Sequence, residues 1–422
     1  MVFNKDEMHA PAWMNSAFFE KVLKQSENNN GLSVTECQIV PGTRPGDHFA
    51  SIIFRAIVKY QSRGADHEVS LIVKTVPDAN GLKRDILKDG VLFDTEIVMY
   101  NTVMPEMHRL LRSVGDDTEL GPRLLCFAKE PNIVMVFEDI SKRGYSMKDK
   151  LLSLSEAKIA YKKMARWHAA SVHLANTVPV IKTLDKGLAS ITNDEFETIW
   201  DSNIGLLANV CKEWPGYEHF SEKVENLKKK IHKKVNHIYQ LKESNIYNVL
   251  NHGDFHYKNM MYKVENETTK DILLLDYQIS VWGSPAIDII YSLYNLCSTE
   301  TRDNHRGELI KFYYDEFVAS LNKFGHLGKI PTLLDLNVEI LKCGHLEIFL
   351  ASAFLPFMLV TFEEMMEEHS KNNDPEEGFE LFDMNNMEKM QEMLQAGYRK
   401  PGYAAVMQKS LPVFLTKGFL DV

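Results

Sequence analysis

Cysteine is scarce in this 422-residue chain, and no apolar run is long. The five cysteines (Cys37, Cys126, Cys211, Cys297 and Cys343) form no CxxC or other metal-ligand spacing, and an odd, scattered set suits reduced thiols. The longest apolar segment, Ile348 to Phe362, contains Pro356 and falls short of the roughly 20 residues a spanning helix needs, so it reads as a buried helix. The opening residues Met1 to Glu7 carry neither the basic start nor the apolar stretch of a secretory signal. The expectation is a cytoplasmic protein with no membrane insertion, in which the sequon Asn266-Glu267-Thr268 is only a turn.

Positive charge is also in short supply. Forty-eight Lys and Arg face 58 Asp and Glu, a net charge of −10, which argues against a nucleic-acid partner or an anionic membrane surface. One basic stretch, Lys223 to Lys242, has Val224, Leu227, Ile231, Val235, Ile238 and Leu241 at helical spacing, so its lysines fall mostly on a solvated face. There is no internal repeat, low-complexity tract or long linker, and no obligate protein partner is evident. A Gly-Lys-Ser/Thr phosphate loop is missing as well. The composition, 45% hydrophobic and 25% charged, is that of an ordinary globular protein long enough for two cores.

Two short stretches carry the chemistry. In His252-Gly253-Asp254-Phe255-His256-Tyr257-Lys258-Asn259 an Asp is followed five positions on by an Asn, and the apolar run Ile272 to Leu275 then delivers Asp276. ATP-dependent phosphoryl transfer needs this set: one carboxylate to take the proton of an acceptor hydroxyl, and an amide oxygen with a second carboxylate to hold Mg²⁺ against the phosphates. Asp254 is the expected base, and Asn259 and Asp276 are the expected metal ligands. His256 is expected to face the transferring phosphoryl, with Lys258 as the competing candidate. Asn248 to His252 and Met260 to Val264 read as short strands on either side of the loop.

Upstream, Cys37 to Val40 and Ile52 to Val58 read as strands joined by a loop containing Gly42 and Gly46, which could fold over phosphates. Lys74 sits inside the apolar strand Leu71 to Val76, where a buried ammonium would need a partner. Glu96 lies beside the apolar face Phe93, Ile97, Tyr100 and Met104 of the next helix, whereas Asp94 projects away from it. Lys74 and Glu96 therefore read as the pair that positions the α- and β-phosphates. The strand Ile133 to Phe137 leaves its core at Glu138, Asp139 and Ile140, where a hinge would offer backbone groups to adenine.

Ser153 to Glu156 is a capping box opening a helix, on which His168 is read as a hydrogen-bonded core residue. Asp288, in the first turns of an apolar helix after Gly283-Ser284-Pro285, is assigned a structural role, bonding backbone groups of the nearby catalytic loop. The Phe-, Met- and Leu-rich segment Leu346 to Met366 reads as helix core that could also line an apolar acceptor pocket.

The chain resembles the ecdysteroid kinase-like family of insects, within the aminoglycoside phosphotransferase and choline kinase branch of the kinase-like superfamily. The resemblance rests on Pro11-Ala12-Trp13 with Phe18-Phe19 and Val22-Leu23, Gly46-Asp47-His48-Phe49-Ala50-Ser51, Lys74 with Glu96 and Glu138-Asp139-Ile140. It continues through His252-Gly253-Asp254 with Asn259, Asp276-Tyr277-Gln278, and Gly283 to Asp288. It implies an α+β, bilobal protein-kinase-like fold, with a small β-rich N-lobe (1–140) ending at the hinge and a larger, mainly helical C-lobe (141–422). The activity it implies is phosphorylation of a hydroxyl on a small molecule, an ecdysteroid or a dietary toxin. Gly46, Phe49, Ser51, Lys74, Glu96, Glu138, Asp139 and Ile140 would then meet the nucleotide. His256 stands where Trp is frequent, and Tyr277 where Phe is commoner; Gln278, in place of the Gly of Asp-Phe-Gly, weighs against a protein kinase. The competing readings are a choline- or aminoglycoside-type kinase for a cationic acceptor, and a nucleotide-binding pseudokinase.

Overall fold

A computed structural model of the chain describes residues 8–43, 51–77, 90–190, 194–240, 242–358, 395 and 397–421. Two compact units emerge. Among the described residues the first lies within Met1–Thr102 and Gly121–Ser146, and the second within Val103–Leu120, Met147–Met365 and Glu388–Val422.

The first unit is built on a five-stranded antiparallel sheet in the order β1-β2-β3-β5-β4. Its strands are β1 (Ser33–Pro41), β2 (Ile52–Ser62), β3 (Ala65–Thr75), β4 (Leu124–Ala128) and β5 (Val134–Glu138). Side chains alternate across a pleated strand, so Ile52, Phe54, Ala56 and Val58 of β2 line one face together with Leu71 and Val73 of β3 and Val134 and Val136 of β5. Helix α1 (Ser16–Glu27) covers that face with Phe19, Val22 and Leu23, each contributing about 1.5–3 kcal/mol by leaving water. Asn15 caps the helix, its Oδ1 accepting from the amides of Ala17 (3.1 Å) and Phe18 (3.2 Å). The opposite face of β3 carries Lys74, which α2 (Val91–Val98) meets with Glu96. A two-residue strand, β6 (Tyr145–Ser146), ends the unit.

The second unit is mainly helical, as the α+β expectation requires. Its larger described helices are α3 (Met104–Ser113), α4 (Leu154–Leu174), α5 (Asp194–Glu213), α6 (Glu218–Lys228), α7 (Ile231–Gln240), α8 (Ala286–Asn295), α9 (Thr299–Lys323), α10 (Leu333–Lys342) and α11 (Pro401–Thr416). The capping box at Ser153 and Glu156 opens α4. The basic stretch is two helices, because α6 ends at Lys228 and α7 begins at Ile231. Val224, Leu227, Ile231 and Val235 are buried as expected, but Tyr239 takes the inward position and Ile238 is only half-buried. Leu241 lies outside the described residues.

Two small β elements position the chemistry. Strand β7 (Val249–Asn251) pairs antiparallel with β10 (Val281–Gly283), and β8 (Met260–Glu265) with β9 (Thr268–Leu274). The β8–β9 hairpin turns at Asn266 and Glu267, with φ of 50° and 61°, so the sequon is a tight turn. Among the described residues no helix is long and apolar enough to cross a membrane.

Candidate active site

The site is assembled from the loop His252–Asn259, between β7 and β8, and from Asp276, just beyond β9. The loop is held from beneath by Asp288 of α8, which is fully buried. Its two carboxylate oxygens accept the backbone N–H groups of His252 (2.7 Å) and Gly253 (2.9 Å), and Oδ2 also lies 3.1 Å from His168 Nε2. The other His168 nitrogen meets the Tyr313 hydroxyl at 2.8 Å, so His168 is a hydrogen-bonded core residue. Asn251 adds to the scaffold, with its Oδ1 accepting from the Asp288 amide at 3.3 Å. Gly253 has φ +86°, and a Cβ there would sit 2.1 Å from the Ile279 carbonyl oxygen. Only glycine fits both the conformation and the approach.

His252 is buried, its Nε2 donating to the Leu275 carbonyl at 2.8 Å and its Nδ1 facing the Asp254 amide at 3.4 Å. Burial pushes its pKa down, which keeps the ring neutral. Tyr277 stacks on Trp167 (4.9 Å between ring centroids) and lies 4.5 Å from His252. The hydroxyl that distinguishes Tyr277 from Phe donates to the Leu120 carbonyl at 2.8 Å, so this departure from the family pattern is locally satisfied.

Asp254 and Asn259 come together. The Asn259 amide Nδ2 donates to Asp254 Oδ2 at 2.8 Å and to the Asp254 carbonyl at 3.2 Å, which leaves the Asn259 side-chain oxygen as the end able to meet a cation. His256 Nδ1 accepts the Asn259 amide at 3.2 Å, and its Nε2 stands 3.3 Å from Asp254 Oδ2. Both ring nitrogens of His256, the residue expected to face the phosphoryl group, therefore have partners within the loop. Lys258 sits with its ammonium 5.8 Å from the Tyr257 ring. Burial pushes the Asp254 carboxyl up. His256 beside it, the Tyr291 hydroxyl and the more distant His252 outweigh this and hold it well below the usual carboxylate range.

Asp276 has φ +63°, a left-handed conformation that few non-glycine residues adopt. The Leu275 amide donates to the Asn259 carbonyl at 2.9 Å, which sets the two expected metal ligands on adjoining backbone. An amide oxygen and one carboxylate form an all-oxygen donor pair of the kind Mg²⁺ accepts when phosphates complete its shell. Among the described residues no cluster of three His, Cys, Asp or Glu side chains forms a protein-only metal cage.

Within the first unit, Lys74 Nζ and Glu96 Oε2 are 2.6 Å apart, their side chains 6% and 2% exposed. Asp94 instead reaches a surface partner, Lys129, at 2.6 Å. Ser51 is buried at the start of β2, while Gly46 and Phe49 lie outside the described residues. The Asp139 carboxylate is engaged locally, accepting Arg55 Nε (3.0 Å), Ser70 Oγ (2.6 Å) and the Ser141 amide (3.0 Å). Glu138 accepts the Arg123 amide at 2.8 Å, and Ile140 is buried. Two supporting residues escaped the sequence reading: Asn251 and Trp167, whose indole donates to the Leu250 carbonyl. A lone polar residue in a fully buried three-residue strand was the available signal for Asn251.

A family model, matching most of the chain, assigns it to the small-molecule phosphotransferases. The chain belongs to the ecdysteroid kinase-like family, whose model matches residues 45–326. No curated protein sequence matches it. Among solved structures it is similar to an ethanolamine kinase of Plasmodium vivax, at 11% identity over 95% of this chain and 90% of that one, with a TM-score of 0.38. It is also similar to an AMP-bound spectinomycin phosphotransferase (11%, 93% and 98%, TM-score 0.39). A third is an aminoglycoside 2'-phosphotransferase in its GDP complex (11%, 96% and 100%, TM-score 0.41).

Proposed function

We propose that the protein transfers the γ-phosphoryl group of ATP to a hydroxyl of a neutral, largely apolar small molecule, an ecdysteroid-like steroid or a dietary xenobiotic. The observation that carries the reading is the hydrogen-bonded pair Asp254 and Asn259, a carboxylate and an amide fixed in one loop beside Asp276. Asp254, ionised throughout the physiological range, accepts a hydrogen bond from the acceptor hydroxyl and orients its oxygen. As the new O–P bond forms and ADP leaves, the hydroxyl proton passes to that carboxylate. The Asn259 side-chain oxygen and Asp276 would hold Mg²⁺, which when bound neutralises charge on the phosphates. Lys74, steadied by Glu96, would hold the α- and β-phosphates. Ser51, with Gly46 and Phe49, would close over them, and the segment Glu138-Asp139-Ile140 would meet adenine through its backbone.

The steroid class rests on the family to which the chain belongs. An apolar ring near the loop supports it: half-buried Phe354 stands edge-on to Tyr291 at 6.1 Å, and the Tyr291 ring lies 6.4 Å from that of His256. Leu346, Ile348, Phe349, Leu350 and Leu355 of the same segment are core, with Phe349 edge-on to Trp200 at 4.8 Å, and residues from 359 to Met366 lie outside the described set. An open hollow of about 730 Å³ in the second unit is lined by Asp185, Tyr239, Gln240, Lys242, Glu243 and Ser244, and because Lys242 answers Asp185 at 3.7 Å it gives a cationic acceptor no particular support. Incubating the protein with Mg-ATP and a pooled steroid and plant-metabolite extract tests both readings by mass spectrometry. Phosphate added to a neutral alcohol is expected; phosphate added only to the hydroxyls of cationic, amine-bearing molecules would move the acceptor class. A pool left unphosphorylated under all conditions would favour a pseudokinase.

The Lys74–Glu96 pair makes its own prediction. Lys74→Met should lower the rate through misplaced phosphates, and Glu96→Gln should cost less by loosening the same lysine. Because the two groups act as a unit, the double variant should be little worse than Lys74→Met. Strictly additive losses across that cycle would contradict a shared role.

A further inference from the structure

We infer that Tyr277 is a positioning residue for Asp276, its hydroxyl tethering the backbone just beyond that aspartate to Leu120 so that the carboxylate stays where a phosphate-bound Mg²⁺ would meet it. The inference rests on the reading of Asp276 as a metal ligand.

Asp276 needs restraint. Its φ of +63° lies in the left-handed region, and a residue with a Cβ keeps such a conformation only where its surroundings hold it there. Both neighbours are held. On one side the Leu275 amide donates to the Asn259 carbonyl (2.9 Å), and the Leu275 carbonyl accepts from His252 Nε2 (2.8 Å). Those partners belong to the loop that carries Asp254 and Asn259, so their grip moves with that loop. On the other side Tyr277 is fully buried and donates its hydroxyl to the Leu120 carbonyl at 2.8 Å. Its ring lies against Trp167 of α4, with centroids 4.9 Å apart and planes at 27°.

Leu120 is a fixed point outside the loop. It is fully buried, and its amide donates to His108 Nε2 of α3 at 3.0 Å. The residues before it are tied to α4, where Lys163 donates to the Glu119 carbonyl (2.6 Å) and Arg166 pairs with Asp116 (3.1 Å). The Leu120 carbonyl also accepts the Leu274 amide at 3.2 Å. Leu274 and Tyr277 therefore hang from one oxygen, and Leu275 and Asp276 lie between them. This is a clasp: it closes around the metal ligand and is anchored by two helices. Phenylalanine, the commoner residue of the family here, would fill the same space and leave the clasp open on one side.

The test is calorimetric ATP binding by the full chain over a series of free Mg²⁺ concentrations, which needs no acceptor. Tyr277→Phe keeps the buried ring and removes only the hydroxyl. Half-saturating Mg²⁺ for ATP binding should rise about fivefold, the order of effect that one hydrogen bond has. ATP affinity at saturating Mg²⁺ should stay within about twofold of wild type, because excess metal draws Asp276 back into place. Added to Asp276→Ala, the same change should shift the Mg²⁺ requirement no further. An unmoved half-saturation point would overturn the inference. So would an affinity loss of equal size at every Mg²⁺ concentration, which would make Tyr277 a residue of the fold alone. Wild-type ATP binding that ignores Mg²⁺, or an Asp276→Ala variant with the wild-type requirement, would instead overturn the metal assignment beneath it, so the two failures remain distinct.

Discussion

Asp288→Ala should lose about 4 kcal/mol of stability, a large part of the 5–15 kcal/mol that holds a typical domain together. The change strands three buried groups at once: the amides of His252 and Gly253 and the ring of His168. Each buried donor left without its acceptor costs about 1–3 kcal/mol, less whatever a water entering the gap recovers. Asp288→Asn should be intermediate, because one oxygen still accepts while the new NH₂ faces another donor. Urea unfolding of the three proteins checks the order. A loss under about 1 kcal/mol for Asp288→Ala would mean that the loop does not depend on this carboxylate.

Asp276→Ala should take turnover below detection while leaving the fold intact. The carboxylate is the one charged metal ligand proposed beside Asn259, and an alanine offers nothing to replace it. The backbone at this residue sharpens the test. With φ at +63°, Asp276 pays a conformational penalty on the order of 1 kcal/mol that glycine would not. Asp276→Gly should therefore be as inactive as the alanine variant while melting at or above the wild-type temperature. Unchanged product formation by either variant at saturating Mg²⁺ would remove Asp276 from the metal site.

The local geometry of the candidate site was legible in the sequence because it is compressed into short segments. An Asp and an Asn five residues apart must share a loop, and an Asp after Ile272 to Leu275 must leave a strand. Lys74 and Glu96 were legible for another reason: a lysine on the inward face of an apolar strand needs a carboxylate, and helical periodicity selected Glu96 over Asp94. Asp288 could be read because a charge among Ala286, Ile287, Ile289 and Ile290 is too costly without backbone partners. Contacts that depend on where α8 falls against the loop could not be read. Nothing in the letters sets the Tyr291 ring beside His256, and spacing alone does not show that the His256 ring caps the Asn259 amide. The break between α6 and α7 also escaped, since Lys229 and Lys230 carry neither Gly nor Pro, and helical periodicity continues across them.

The central claim is that Asp254 takes the acceptor's proton and is not a ligand of the nucleotide. Asp254→Asn keeps the shape and the hydrogen-bonding reach of the side chain but cannot accept that proton. Calorimetric Mg-ATP binding and turnover, measured side by side on wild type and this variant, decide the matter. The account predicts ATP affinity close to wild type, with phosphorylation of an acceptor from the extract screen reduced by about 10²–10⁴. Lost ATP binding would move Asp254 into the metal shell, and full turnover would contradict its role as the base.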